Sequence, residues 1–251
     1  MSVLLIPVLL VSWQLLAMSG AVSPLLVPGL DAIAGALWRD LSQGTLAYQL
    51  LFSLALVGAG TLLGGLFAVL LAFAASLGRE ALRSVRLLTA LLHPLPGIAL
   101  LPLVVLWAGT GTPAVLLVMV HAALWPVYLN LQSGLDEIPR RYRDMSRNWQ
   151  LRSPGIFIHI IVPAVFPALL SGLRTAWARC WRALIAAEMV FGAAGHFGGI
   201  GWYIFERRVY MDTPGLYAGL IMVMTAGVLM DALLFGSLER ITARRWGRDT
   251  R

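Results

Sequence analysis

YQLLFSLALVGAGTLLGGLFAVLLAFAASL, residues 48–77, contains no Asp, Glu, Lys or Arg. Wound as a helix at 1.5 Å per residue, it would be about 45 Å long, more than the roughly 30 Å hydrocarbon core of a bilayer. A helix satisfies its own backbone hydrogen bonds, so such a run belongs in lipid. Within it stand Gly58, Gly60, Gly64 and Gly65. Gly60 and Gly64 have the GxxxG spacing that lets a second helix approach closely.

Similar runs recur on both sides. The chain of 251 residues is 59% hydrophobic and only 12% charged, about half the charge of a soluble domain, where roughly 25% is usual. The first run, Ser2 to Met18, lacks the charged start of a signal peptide and is expected to remain as a span. Further runs lie at about 87–107, 113–131, 163–192 and 216–238, the third-span run being broken by Pro94, Pro96 and Pro102. Six spans are therefore expected: an all-α, polytopic membrane protein.

All 19 basic residues are arginine. Without lysine there is no GxxxxGK stretch, so the chain carries no P-loop of its own. The single Cys180 has no partner in the chain for a disulfide and suits small apolar packing. His93, His121, His159 and His196 are scattered without metal-ligand spacing, and no metal is assigned to them.

The arginines are distributed unevenly. Thirteen fall after the second and fourth spans and in the tail, against Arg39, Arg207 and Arg208 on the opposite face. The positive-inside rule then puts both termini in the cytoplasm, and topology accounts for the net charge of +7 without nucleic acid. Between the first two spans, Leu30, Ile33, Leu37 and Leu41 are spaced as an amphipathic helix on the outer interface. Between the last two, GHFGGIGWYIFERRVYMDTP (195–214) reads as an interfacial loop with Trp202 and Tyr203 at headgroup level, a re-entrant loop being the alternative.

The connection from Gln132 to Ile160 exceeds what neighbouring helices need. Tyr142, Met145 and Trp149 make one apolar stripe on a short helix begun near Pro139, and Ser153-Pro154 has the form of a cap opening a second helix. In DMSRNWQLRSPGIFIHIIVP (144–163), Asp144, Met145 and Ser146 stand where the permeases of ATP-binding cassette importers carry EAA. Gln150 stands at the motif's glycine and, nine residues on, Ile160, Val162 and Pro163 stand at IxLP. HPLPGIALLPLVVLWAGTGTP (93–113) and FPALLSGLRTAWARCWRALIAAEMVFG (166–192) likewise resemble the nitrate, taurine and alkanesulfonate group of that family, and the likeness covers about residues 46–246.

The resemblance implies a type I importer transmembrane domain over 46–246. Residues 1–45 would add an N-terminal span and an extracytoplasmic amphipathic segment, and 247–251 a basic cytoplasmic tail. It implies a cytoplasmic coupling segment at about 136–160, with Arg143, Asp144, Met145, Ser146, Arg147, Trp149, Gln150 and Pro163 as the ATPase-coupling residues. A glycine at the end of the coupling helix takes a left-handed conformation cheaply; with Gln150 there, the turn is expected at Ser153, Pro154 and Gly155 instead. The implied partners are two ABC ATPase subunits that use ATP and Mg, a second permease copy in a homodimer, an extracytoplasmic solute-binding protein and membrane lipid. The location would be a bacterial inner membrane, the cargo a small anion. The chain itself would bind no cofactor and catalyse nothing. The competing class is an autonomous secondary transporter or other polytopic protein, against which stand the long cytoplasmic connection and the lack of an inverted repeat.

Charge inside spans is costly and usually faces a cavity or a partner. Arg174, Arg179 and Arg182 share one arc of the fifth span. Either they snorkel to the interface, or Arg179 and Arg182 face a translocation cavity and favour an anion. Glu188 lies on another face and belongs to a gate or to packing at a permease dimer interface. Pro94, Pro96 and Pro102 suggest a deformable span that lines the pathway.

Overall fold

The computed structural model describes residues 2–137, 161–193 and 198–240. All regular structure among them is helical. Helices α1 (Ser2–Met18), α2 (Leu30–Ser42), α3 (Leu46–Ser76), α4 (Arg79–Leu92) and α5 (Leu101–Ala108) come first. They are followed by α6 (Thr112–Asp136), α7 (Val162–Phe191), α8 (Ile200–Val209) and α9 (Thr213–Met230), the last continued by a π-helical turn at Asp231–Phe235.

Helices α3 and α6 and the stretch Thr213–Arg240 are long and apolar enough to cross a membrane, and a bent pair of helices makes a fourth candidate if counted as one span. Helix α7 has the length, with 30 residues, but carries three arginines and Glu188. Large apolar side chains such as Leu62, Phe73, Leu106 and Val228 are each 65% or more exposed. In water such surface would drive association; around spanning helices it is the face lipid covers.

The third run is more sharply divided than a deformable span. Helix α4 ends at Leu92, a 3₁₀ turn covers Gly97–Leu100, and α5 follows at 88° to α4. Pro94 and Pro96 lie in the break. Neither can donate a backbone N–H, and the Leu92 carbonyl accepts instead from Leu95 N at 3.2 Å. Pro102 does not break anything: it sits in the first turn of α5, where a missing N–H is harmless. The arginines expected in a connection, Arg79, Arg83 and Arg86, belong to α4.

The chain divides into two compact units. One comprises Met1–Ala55, Thr110–Thr112 and Ile185–Ala226; the other comprises Leu56–Gly109, Pro113–Leu184 and Gly227–Arg251. In the second unit the GxxxG pair does what its spacing predicts. A Cβ on Gly60 would stand 2.7 Å from that of Met119, and one on Gly64 would stand 2.4 Å from that of Ala123. Helices α3 and α6 thus meet backbone to backbone, and even alanine at Gly64 would push them apart. Met119, Ala123 and Cys180 lie in this core with no exposure.

In the first unit α2 forms where its apolar spacing predicts, with its Ile33 and Ala36 packed against Ala218. Leu41, expected on the apolar face, is exposed, whereas Asp40 is buried. The helical register, not hydrophobicity alone, decides which residue points inward. The segment expected as an interfacial loop holds helix α8, and Tyr203, expected at headgroup level, is 1% exposed. The hydrogen bond it makes supplies the reason.

Candidate functional site

Asp40 occupies the buried face of α2 and gathers three partners. The Tyr203 hydroxyl donates to its Oδ2 at 2.5 Å, Arg39 Nε donates to Oδ1 at 2.9 Å, and an Arg207 terminal nitrogen stands 3.1 Å from Oδ2. Burial works against the charge of Asp40, yet the Tyr203 hydrogen bond and the two arginines outweigh it and hold the carboxyl below its ordinary range. Burial first, then the bond to Asp40, raises Tyr203 above the usual phenol range, so its proton stays.

Arg207 also lies over the Tyr203 ring, 4.9 Å from its centroid, and pairs with Asp212 at 3.1 Å. Asp212 in turn accepts from Gly215 N at 3.1 Å, the bond that caps the start of α9. One ionic network therefore ties α2, α8 and the α8–α9 turn together within the first unit. The network was missed in the sequence. The one available signal was an Asp on an amphipathic helix together with the ERR and MD of 206–212.

Glu188, expected at a gate or a dimer interface, is fully buried and serves the backbone. Its Oε1 accepts from Gly199 N at 2.7 Å and its Oε2 from Gly201 N at 3.0 Å. Between them Ile200 N donates to Ser53 Oγ at 2.9 Å. These are N–H groups that the start of α8 cannot bond within its own helix, and the carboxylate satisfies them at the end where the helix dipole is positive. Side chains have no room here: a Cβ on Gly199 would lie 2.2 Å from Ser53 Oγ, and one on Gly201 2.7 Å from the Ile185 carbonyl. Glycine is required by proximity. As placed, Glu188 holds the start of a short helix.

In the second unit the three arginines of α7 divide. Arg174 forks onto Asp231, with Nε to Oδ1 at 2.6 Å and a terminal nitrogen to Oδ2 at 2.5 Å, and reaches Glu239 at 3.0 Å. It is an ion-paired residue, not a lone snorkelling one. Arg179 is half-buried and Arg182 exposed, and neither enters an ion pair among the described residues. Arg179 lies within electrostatic reach of His93, beside the break between α4 and α5. Arg182 lies on the outer face of its helix.

Pro163 sits in the first turn of α7, where proline is tolerated. Near it a cleft of about 260 Å³ opens between the end of α6 and the start of α7, lined by Asn130, Ser133, Glu137, Pro167 and Ser171 among others. The remaining coupling positions, Arg143, Asp144, Met145, Ser146, Arg147, Trp149 and Gln150, and the turn expected at 153–155, lie outside the described residues.

The profile of the binding-protein-dependent transport system inner membrane components matches residues 60–242. Among curated relatives, an Escherichia coli K12 protein named as an aliphatic sulfonates transport permease is 29% identical over 219 residues, covering 87% of this chain and 82% of its own length. A nitrate import permease protein of Leptolyngbya laminosa is 28% identical over 233 residues, 90% of this chain and 82% of the relative. A bicarbonate transport system permease protein of Synechococcus elongatus is 25% identical over 237 residues, 88% of this chain and 82% of the relative.

Proposed function

This chain belongs to the family of binding-protein-dependent transport system inner membrane components, as an ATP-binding cassette importer permease of the nitrate and sulfonate type, and we propose that it forms the transmembrane pathway for a small anion. The observation that carries the reading is the family match over residues 60–242. It is a transport subunit of a multi-pass membrane protein complex. Relatives named for sulfonates, nitrate and bicarbonate share an anionic cargo, and the half-buried Arg179, without an ion pair among the described residues and within electrostatic reach of His93, supports one. The proposed cargo is of the nitrate, sulfonate or taurine kind.

In this reading the six runs all cross the inner membrane of a bacterium with both termini in the cytoplasm, and two copies of the chain form the pathway. An extracytoplasmic solute-binding protein delivers the anion. Two separate cytoplasmic ATPase subunits bind and use the ATP and Mg, which this chain does not bind. Residues 136–160 act as the coupling segment: Arg143, Asp144, Met145, Ser146, Arg147, Trp149 and Gln150 dock on the ATPase, and Pro163 marks the return into α7. A short rigid helix transmits a rotation of the ATPase into the bundle where a slack loop would absorb it.

Co-purification from detergent tests it. The full chain should bring down an ATPase subunit, and removing residues 140–155 should abolish that while the remaining helices stay folded by circular dichroism. An ATPase retained by the deletion variant, or none captured by the full chain, would sink the coupling.

A further inference from the structure

His121, Trp125 and Tyr128 stand at i, i+4 and i+7 on α6, one face of a helix in the middle of a candidate span. Trp125 is 5% and Tyr128 1% exposed. The indole Nε1 of Trp125, the hydroxyl of Tyr128 and both ring nitrogens of His121 are buried without a hydrogen-bond partner among the described residues. So is Nδ1 of His93, the residue at which α4 ends. The Leu92 carbonyl comes near His121 without a hydrogen bond of ordinary geometry. Buried polar groups are normally paired, and each one left alone costs stability. Five such atoms on facing elements of one unit form a pattern.

The elements face each other at the break of the third run. A Cβ on Gly97 would stand 3.2 Å from a Val118 methyl and 3.9 Å from His121 Nδ1. His93 is within electrostatic reach of both His121 and Arg179. One turn and more along α6, Tyr128 is within reach of Arg86 on α4 and of Asp136. The His121 and Trp125 rings meet edge to face at 6.0 Å, which fixes their planes.

We propose that this seam between the broken span and α6, built from His93, His121, Trp125, Tyr128 and Arg179, is the anion-binding site of the pathway. The proposal rests on the transport reading above and names the residues that carry it. The chemistry selects the ligand. An indole N–H only donates, a phenol donates, and a neutral imidazole donates through one nitrogen. With Arg179 within electrostatic reach of His93, the unpartnered groups suit an oxyanion that accepts from several directions. A metal cation would need a cluster of carboxylate, histidine or cysteine ligands, and no such group is found among the described residues. The groups are uncompensated within the chain because their partner is the cargo.

The test separates binding from transport. Nitrate and methanesulfonate are titrated by calorimetry into the full chain in detergent, and into its Trp125→Phe, His121→Phe and Tyr128→Phe variants. Each substitution keeps an aromatic ring and removes the unpartnered atoms; Tyr128→Phe removes the hydroxyl alone. Binding should fall roughly ten- to hundred-fold in the Trp125 and His121 variants, as expected for a lost hydrogen bond to a charged ligand. In Tyr128→Phe the melting temperature should hold or rise, because an unpaired polar atom and nothing else has left the core. No binding by the unsubstituted chain, unchanged binding in both variants, or a Tyr128→Phe variant that melts lower would each overturn the proposal, the last by showing that the hydroxyl holds the fold. Should the chain bind the anions yet capture no ATPase, the importer coupling fails and the seam stands.

Discussion

Two sets of buried polar groups in this molecule are treated in opposite ways. In the first unit, Asp40, Tyr203 and Glu188 each find partners: two arginines and a phenol for Asp40, backbone N–H groups for Glu188. In the second, His93, His121, Trp125 and Tyr128 keep polar atoms without any among the described residues. The paired set joins helices that are not neighbours in the chain and so acts as a clamp. The unpaired set lies along α6 and at the end of α4, and contributes nothing to the fold that apolar side chains would not do better. A protein that leaves such groups uncompensated inside its bundle is keeping them for something that comes and goes.

The contrast breaks first at Asp40. Asp40→Ala leaves Arg207 and the Tyr203 hydroxyl facing each other without the carboxylate, and should cost about 3 kcal/mol, as removal of one member of a buried pair does. Thermal melting in detergent measures it. The same residue gives the clamp its pH dependence. A carboxyl held low in the folded state contributes stability that is fully present above the unfolded value, about 4, and is lost as pH falls through the lower folded value. Melting temperature should therefore drop below about pH 4, and Asp40→Asn should flatten that part of the curve.

Glu188→Gln comes next. The amide keeps one acceptor oxygen but turns an NH₂ towards a backbone N–H, so one of the two bonds at the start of α8 is lost and its donor is left buried. About 2 kcal/mol is expected, together with faster hydrogen exchange at Gly199 to Tyr203. Exchange unchanged at those amides would show that α8 is held by something other than this carboxylate.

These residues also mark how far the sequence could be read. The helix expected at 48–77 is Leu46–Ser76, and the one expected at 113–131 begins at Thr112, because a long uncharged run has one solution in lipid. The Gly60 and Gly64 contact was legible for the same reason: only packing explains small residues at that spacing in a span. The break at Pro94 and Pro96 was legible as a break, but not its angle, and Pro102 was misjudged because a proline in the first turn and one in the middle look alike without helix boundaries. Tyr203 was placed at the headgroups since its flanks, Trp202 and Glu206 to Arg208, are interfacial in composition. Its partner Asp40 lies in another helix, and no local pattern announces a pairing of that range. The partners of Glu188 were out of reach likewise: that it serves the N–H groups of a later helix depends on the turn between them.

The smallest effect is the most informative, because it comes from the same substitution made twice. Tyr203 and Tyr128 are each 1% exposed, so Tyr→Phe removes one hydroxyl from an equally dry place in both cases. At Tyr203 the hydroxyl donates to a carboxylate at 2.5 Å, and its loss should cost about 1.5 kcal/mol, the usual scale for a bond to a charged group. At Tyr128 it has no partner among the described residues, and the change should stay within about 0.5 kcal/mol of zero, or fall on the stabilising side, since an unsatisfied oxygen has been removed. Equal losses at the two positions would mean that Tyr128 is tied into the fold after all, and the distinction between a clamp and a seam would go with it. A loss confined to Tyr203, with stability untouched at Tyr128, leaves the second hydroxyl without a structural reason to be there. Its reason then has to be sought in what passes between α4 and α6.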